Sequence, residues 1–306
     1  MNSAPPAAAA GPADRNPGPS WGYWFLRQCD RVLPEAVFRP LRGLGTAIAV
    51  AAMPAQRRHS REYLALVLGR PPTLREVWRH FFTFEESLMI KLRVLNGRPH
   101  RTVYAPGADD FRTWLEGGGP ALLGTFHVGV SDLLGCQIGG YADREVYVVR
   151  RRVANSHDTE KLVERYGGRL HFLWVNQPDE MVIALKEAAA TTAAIALQCD
   201  RVEFAARTGT FEFLGARRVF PTGIYHLALI FGRPVLLSVG LPETPELAVL
   251  HASPRFEPRP GEDRAAALAR AHEHFQAFLR RVEAILRERP YLWFNFVPLN
   301  PAPPPP

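Results

Sequence analysis

The sequence predicts an α/β fold: a mostly parallel central sheet flanked by helices, preceded by a helical N-terminal segment suited to a membrane surface. Three observations predict it. From Pro120 onward, short apolar runs alternate with stretches of helical periodicity, the order that builds a parallel sheet with crossover helices. Between Trp21 and Met53, aromatic and aliphatic residues are mixed with arginines, a composition that suits the headgroup level of a bilayer. Between these regions, Thr73-Leu74-Arg75-Glu76 has the form of a capping box and opens an apolar stripe through Val77, Phe81, Phe84, Leu88, Leu92 and Leu95.

Residues 1–20 are rich in Ala, Pro and Gly and read as a disordered tail, without the basic start and apolar centre of a secretory signal. Residues 301–306 read as a similar tail. The 306 residues, 47% of them apolar, supply a sizeable core, and we read 21–300 as one domain. Residues 21–96 form its helical part and 97–300 its α/β part. The longest uncharged stretch near the N-terminus is about a dozen residues, short of the roughly 20 that span a bilayer. That leaves two readings for 21–53: helices lying at a membrane surface, or amphipathic helices packed on the domain. Residues 97–107 read as a turn and a short strand.

The apolar run at 120–126 follows the turn signal Glu116-Gly117-Gly118-Gly119 and looks like a buried parallel strand ending at His127. Val130, Leu133, Leu134 and Ile138 recur at helical spacing, so a helix is expected from about Gly129 or Ser131, with Asp132 in its first turn. Two side chains five apart in one helix diverge by about 140°. A strand-to-helix bend lets His127 fold back on Asp132, which would fix the ring's tautomer and leave its other nitrogen free to take a proton. His80 and Glu85 share that offset but lie inside one helical pattern, where they should diverge. With 10 histidines in the chain the spacing alone is weak.

Further on, strands are expected at 145–150, 170–175, 192–197 and 234–240, helices at 155–166, 178–190 and 225–231, an edge strand at 248–252, and a long amphipathic helix at 262–288. The stretch from Arg201 to Thr222 reads as a loop. Arg150, with Arg151 and Arg152, ends a strand on the same sheet edge as His127, where guanidinium groups could hold phosphates. Asp200 and Arg201 also follow a strand end, and Arg217 and Arg218 lie beyond them. The net charge of +7 fits a phosphate-bearing partner: a membrane surface, a nucleotide-bearing cofactor or nucleic acid. Cys29, Cys136 and Cys199 form no CxxC pair, and the histidines show no metal-ligand spacing. Ser131 lacks the second glycine of a GxSxG elbow, and no GxGxxG or GxxxxGK loop is present.

Three pieces, taken in order, carry a family resemblance: GTFHVGVSD with His127 and Asp132 as HxxxxD; Asp200-Arg201 followed by FEFLGARRVFPTGIYHLALIFGRPVL; and PYLWFNF at 290–296. The chain resembles the lysophospholipid acyltransferase superfamily, and within it the lipid A biosynthesis (lauroyl/myristoyl) acyltransferase branch, from about Trp21 to Leu299. The resemblance implies acyl transfer from an acyl carrier protein or coenzyme A thioester to a hydroxyl or amine of a lipid or glycolipid acceptor. It implies peripheral attachment at the cytoplasmic face of the inner membrane, no cofactor beyond the donor thioester, and no nucleic-acid partner. His127 would be the base and Asp132 its orienting carboxylate, with Arg150, Asp200, Arg201 and Gly215 lining the substrate site and backbone amides near Gly129 facing the oxyanion. The FPEGTRS block of the glycerophosphate-type enzymes is missing, with FLGAR in its place, and the branch's N-terminal membrane helix is weak. A thioester hydrolase using the same histidine on water, or a non-catalytic protein binding acyl chains or membranes, are the competing readings.

Overall fold

The computed structural model describes residues 20–131, 133, 144–150, 168–203 and 205–299. Four helices come first: α1 (Ser20–Val32), α2 (Glu35–Ala52), α3 (Pro54–Leu68) and α4 (Leu74–Leu95). The capping box at Thr73 is formed, the Glu76 carboxylate accepting the Thr73 N–H at 2.7 Å. Helix α2 is apolar on two faces. Phe38, Thr46 and Val50 are buried with the Arg42 side chain, which pairs with Glu85 of α4 at 2.8 Å and with Glu35. Val37, Leu41, Leu44 and Ile48 recur at one-turn spacing on the other face and are each at least half exposed. Among the described residues no single helix is long and apolar enough to cross a membrane.

The α/β part runs β1 (Arg101–Tyr104), α5 (Asp109–Gly117), β2 (Ala121–Gly129), β3 (Val146–Arg150), β4 (Leu170–Trp174), α6 (Pro178–Ala189), β5 (Ala194–Gln198), β6 (Thr208–Phe213), β7 (Ala216–Pro221), α7 (Gly223–Phe231), β8 (Val235–Thr244), β9 (Leu247–Ala252) and α8 (Arg264–Glu288). A seven-stranded sheet has the order β1-β9-β8-β2-β5-β3-β4. Strands β8, β2, β5, β3 and β4 run the same way, and β9 and β1 run against them. The parallel strands read as unbroken apolar runs because both faces are covered. Leu122, Ile195 and Leu237 pack on one side with Phe275, Phe278 and Val282 of α8; Leu123, Ala194 and Leu236 pack on the other with Phe111 and Trp114 of α5.

Four expectations are corrected. The stretch after Arg201 is not a loop throughout: β6 and β7 form an antiparallel hairpin whose two-residue turn puts Leu214 at φ 51° and Gly215 at φ 71°. Two left-handed residues match the twist of the flanking strands, and Phe211, Phe213 and Phe220 bury the hairpin on the core. Strand β9 is not the edge, because β1 pairs beyond it. Helix α5 was not expected; its glycine-rich exit masked the apolar stripe Phe111-Trp114-Leu115. Finally, β2 does not end at His127 but continues to Gly129. The helix expected at 155–166, and Asp132, Leu134, Cys136, Ile138, Arg151 and Arg152, lie outside the described residues.

Candidate active site

His127 stands where β2 changes partner. The ladder with β5 ends at Thr125, and the pairing with β8 is irregular between Thr125 and Gly129. Over that gap the C-terminal strap takes the place of β5: Phe294 N–H donates to His127 O at 2.9 Å, Gly129 N–H donates to Leu292 O at 2.8 Å, and Val128 bridges Trp293. Gly129 allows this geometry. It has φ 58°, and a Cβ there would lie 2.3 Å from the Gly240 carbonyl oxygen, so only glycine fits.

The carboxylate that holds the ring is Asp200, two residues past β5. His127 Nδ1 donates to Asp200 Oδ1 at 2.8 Å, and the His127 backbone N–H donates to Oδ2 at 2.8 Å. Trp293 Nε1–H donates to the same Oδ2 at 2.9 Å. A carboxylate is acceptor-only, so the contact puts the ring proton on Nδ1 and leaves a lone pair on Nε2. Nε2 makes no hydrogen bond to any described residue. The His127 side chain is 18% exposed and that of Asp200 only 1%. Burial by itself would raise the Asp200 carboxyl; the His127 ring beside it, the hydrogen bond to that ring, the Arg201 guanidinium and the Trp293 N–H outweigh burial and hold it down at about 2. Asp200 is therefore ionised at neutral pH and can stabilise an imidazolium.

The other expected site residues divide. Asp200 was expected to line the substrate site; it is buried, and its Oδ1 accepts from His127 Nδ1. Asp132 lies outside the described residues. Arg201 sits beside the pair, its guanidinium reaching the Phe294 carbonyl at 3.4 Å. Arg150 ends β3 on the same carboxyl edge of the sheet, its guanidinium over the Phe172 ring at 5.4 Å. Strand β5 lies between β3 and β2, so about two strand spacings, roughly 10 Å, separate the backbones that carry Arg150 and His127. Gly215 is the tip of the hairpin, held by its backbone conformation rather than by any contact with the histidine.

The oxyanion expectation near Gly129 also needs correcting. The Gly129 N–H is committed to Leu292 O, that of Val130 to Gly240 O at 2.8 Å and that of Ser131 to Val128 O at 3.3 Å. Ser131 Oγ donates to Val128 O and accepts from Gly240 N–H, a structural role. Comparison with protein-family models finds no match for this chain, and comparison with curated proteins finds none.

Sequence reasoning missed Trp293 as a polar partner and His80 as its support. His80 is fully buried and bonds Ser60 Oγ and the Trp293 carbonyl, each at 2.8 Å, while Glu85 faces Arg42 on α2. The two diverge, as expected for a pair inside one helix. The tryptophan in PYLWFNF read only as part of an aromatic ending, because nothing in a linear sequence tells which indole N–H meets a buried carboxylate.

Proposed function

We propose that the chain is an acyltransferase that moves a fatty acyl group from an acyl carrier protein or coenzyme A thioester to a hydroxyl or amine of a lipid or glycolipid acceptor, with His127 as general base. The observation that carries the reading is the convergence of three remote segments on one imidazole. His127, Asp200 and Trp293 come from the same three stretches that carry the resemblance to the lysophospholipid acyltransferases, and they are joined by hydrogen bonds of 2.8 and 2.9 Å. The orienting role goes to Asp200. As the acceptor oxygen attacks the thioester carbonyl, Nε2 takes its proton and the Asp200 carboxylate stabilises the imidazolium. The tetrahedral adduct collapses, the C–S bond breaks, and the thiolate leaves with the proton held on Nε2. The products are an ester or amide and a free thiol, and no acyl-enzyme is required. Arg150 and Arg201 are the residues we assign to phosphates of donor or acceptor.

Attachment to the surface of the cytoplasmic membrane belongs to the same proposal. Trp24 and Phe25 of α1 and the stripe Val37, Leu41, Leu44 and Ile48 of α2 are exposed apolar groups, with Arg31 and Arg39 exposed on the same two helices, the composition of an interfacial helix pair. Replacing Leu44 and Ile48 together with Asp is expected to lower binding to anionic lipid vesicles by at least about tenfold in a sedimentation assay, since each aliphatic side chain contributes roughly 1.5–3 kcal/mol when buried. Unchanged binding would overturn the membrane-surface reading of this stripe.

The test of the reaction is transfer of label from acyl carrier protein and from acyl coenzyme A into a total lipid extract by the wild-type protein. A labelled lipid is the expected product. Label released only as free fatty acid would make the protein a thioesterase, and no turnover of either donor would make it a binding protein.

A further inference from the structure

The site rests on a line of buried polar groups that begins in the helical part. Ser60 of α3 donates its hydroxyl hydrogen to His80 Nδ1 of α4 at 2.8 Å, and His80 Nε2–H donates to the Trp293 carbonyl at 2.8 Å. The carbonyl has no hydrogen to give, so the His80 tautomer is fixed with its proton on Nε2. Ser60 and His80 are both fully buried, and burial holds the His80 imidazole down at about 4, neutral as this pattern requires. Two further contacts grip the same strap: Tyr63 donates its hydroxyl to the Pro290 carbonyl at 2.8 Å, and its ring meets that of Trp293 edge-on at 5.1 Å. His80 also stacks on Phe296 at 4.7 Å. Phe213 of the hairpin meets the Trp293 ring at 90°. The indole is therefore packed between perpendicular rings from α3 and the hairpin, with its N–H donating to Asp200 Oδ2.

We propose that Trp293 and His80 are positioning residues for the base: Ser60 and His80 lock the strap at Trp293, and its indole N–H fixes the plane of the Asp200 carboxylate so that Oδ1 faces His127 Nδ1. The proposal rests on the reading of His127 as the base. Of the three N–H groups that meet the Asp200 carboxylate in these contacts, the His127 backbone N–H and Nδ1–H belong to the residue being oriented, and the Trp293 indole N–H anchors the carboxylate to a separate segment. The helical N-terminal part thus contributes to the orientation of the His127 ring.

The experiment pairs Trp293→Phe with His80→Leu and His80→Gln in the full chain. Phe keeps the ring packing and removes only the N–H; Gln keeps a donor near the position of Nε2, and Leu does not. Two readouts are taken: the downfield proton signal of His127 Nδ1–H in the substrate-free protein, and kcat and KM for acyl transfer. For Trp293→Phe and His80→Leu the signal is expected to shift and broaden, and kcat to fall by roughly tenfold with KM within about twofold of wild type. His80→Gln is expected to restore both. An unchanged proton signal with kcat within about twofold of wild type in Trp293→Phe overturns the proposal, as does equal loss in His80→Gln and His80→Leu. The proton signal needs no substrate, so a wild-type protein that fails to transfer acyl groups would sink the functional reading and leave this test intact.

Discussion

Replacing Asp200 with Asn is expected to lower the proposed acyl transfer by on the order of 10³- to 10⁴-fold while the protein stays folded. The reason is a tautomer. Asp200 Oδ2 accepts from the His127 backbone N–H and from Trp293 Nε1, so an asparagine keeps its carbonyl oxygen there and turns its NH₂ toward His127 Nδ1. An NH₂ can only donate, so Nδ1 becomes the acceptor and the ring proton moves to Nε2. The nitrogen facing the acceptor then has no lone pair to take its proton. Nitrogen NMR of the histidine side chains reads the tautomer directly, and the kinetic loss should appear in kcat with KM nearly unchanged. His127→Ala should lose at least as much, since it removes the proposed base. Near wild-type turnover in Asp200→Asn, with Asp132→Asn inactive, would return the orienting role to Asp132.

That comparison marks where the sequence is legible and where it is not. The alternation of apolar runs and helical patterns is local, and it placed β3, β4, β5, α6, α7 and α8 close to their observed bounds. His127 was legible because a histidine at the edge of a buried strand is locally unusual. Its partner was not, because Asp200 lies 73 residues away and reaches Nδ1 only through the pairing of β2 with β5. Asp200-Arg201 was recognisable as a polar pair after a strand, but the sheet order decides whether such a pair faces a substrate or an imidazole. The hairpin was missed for another reason. Thr210, Phe211, Glu212 and Phe213 alternate as a strand should, but Leu214-Gly215 lacks the Asn-Gly or Asp-Gly signal usual in such a turn, and the arginines around it looked like a loop.

Glu85→Gln is expected to match wild-type stability near pH 4.5 and to exceed it by up to about 3 kcal/mol at pH 8. Burial raises the Glu85 carboxyl from 4.5 to about 7, only partly opposed by Arg42. A folded-state value above the unfolded one means that the folded protein holds the proton more tightly. The stabilising contribution is therefore complete below about 4.5 and is lost as pH rises through 7. Gln mimics the protonated side chain at every pH and escapes that loss. One carboxylate oxygen of Glu85, Oε1, is buried and meets no hydrogen-bond donor among the described residues, and Arg42 keeps Glu35 as a second partner, so the substitution does not strand a buried cation. His80 works in the opposite sense. Burial lowers its imidazole from 6.5 to about 4, so its contribution is complete above 6.5 and is lost as pH falls through 4. Between 4.5 and 6.5 the two slopes oppose each other in the wild type, about 1.4 kcal/mol per pH unit each way. Glu85→Gln removes one of them, so its stability should fall more steeply than that of the wild type on acidification across this window. Urea unfolding midpoints from pH 4 to 8 read both slopes, and a difference between the two proteins that stays constant with pH would refute the assignment to Glu85.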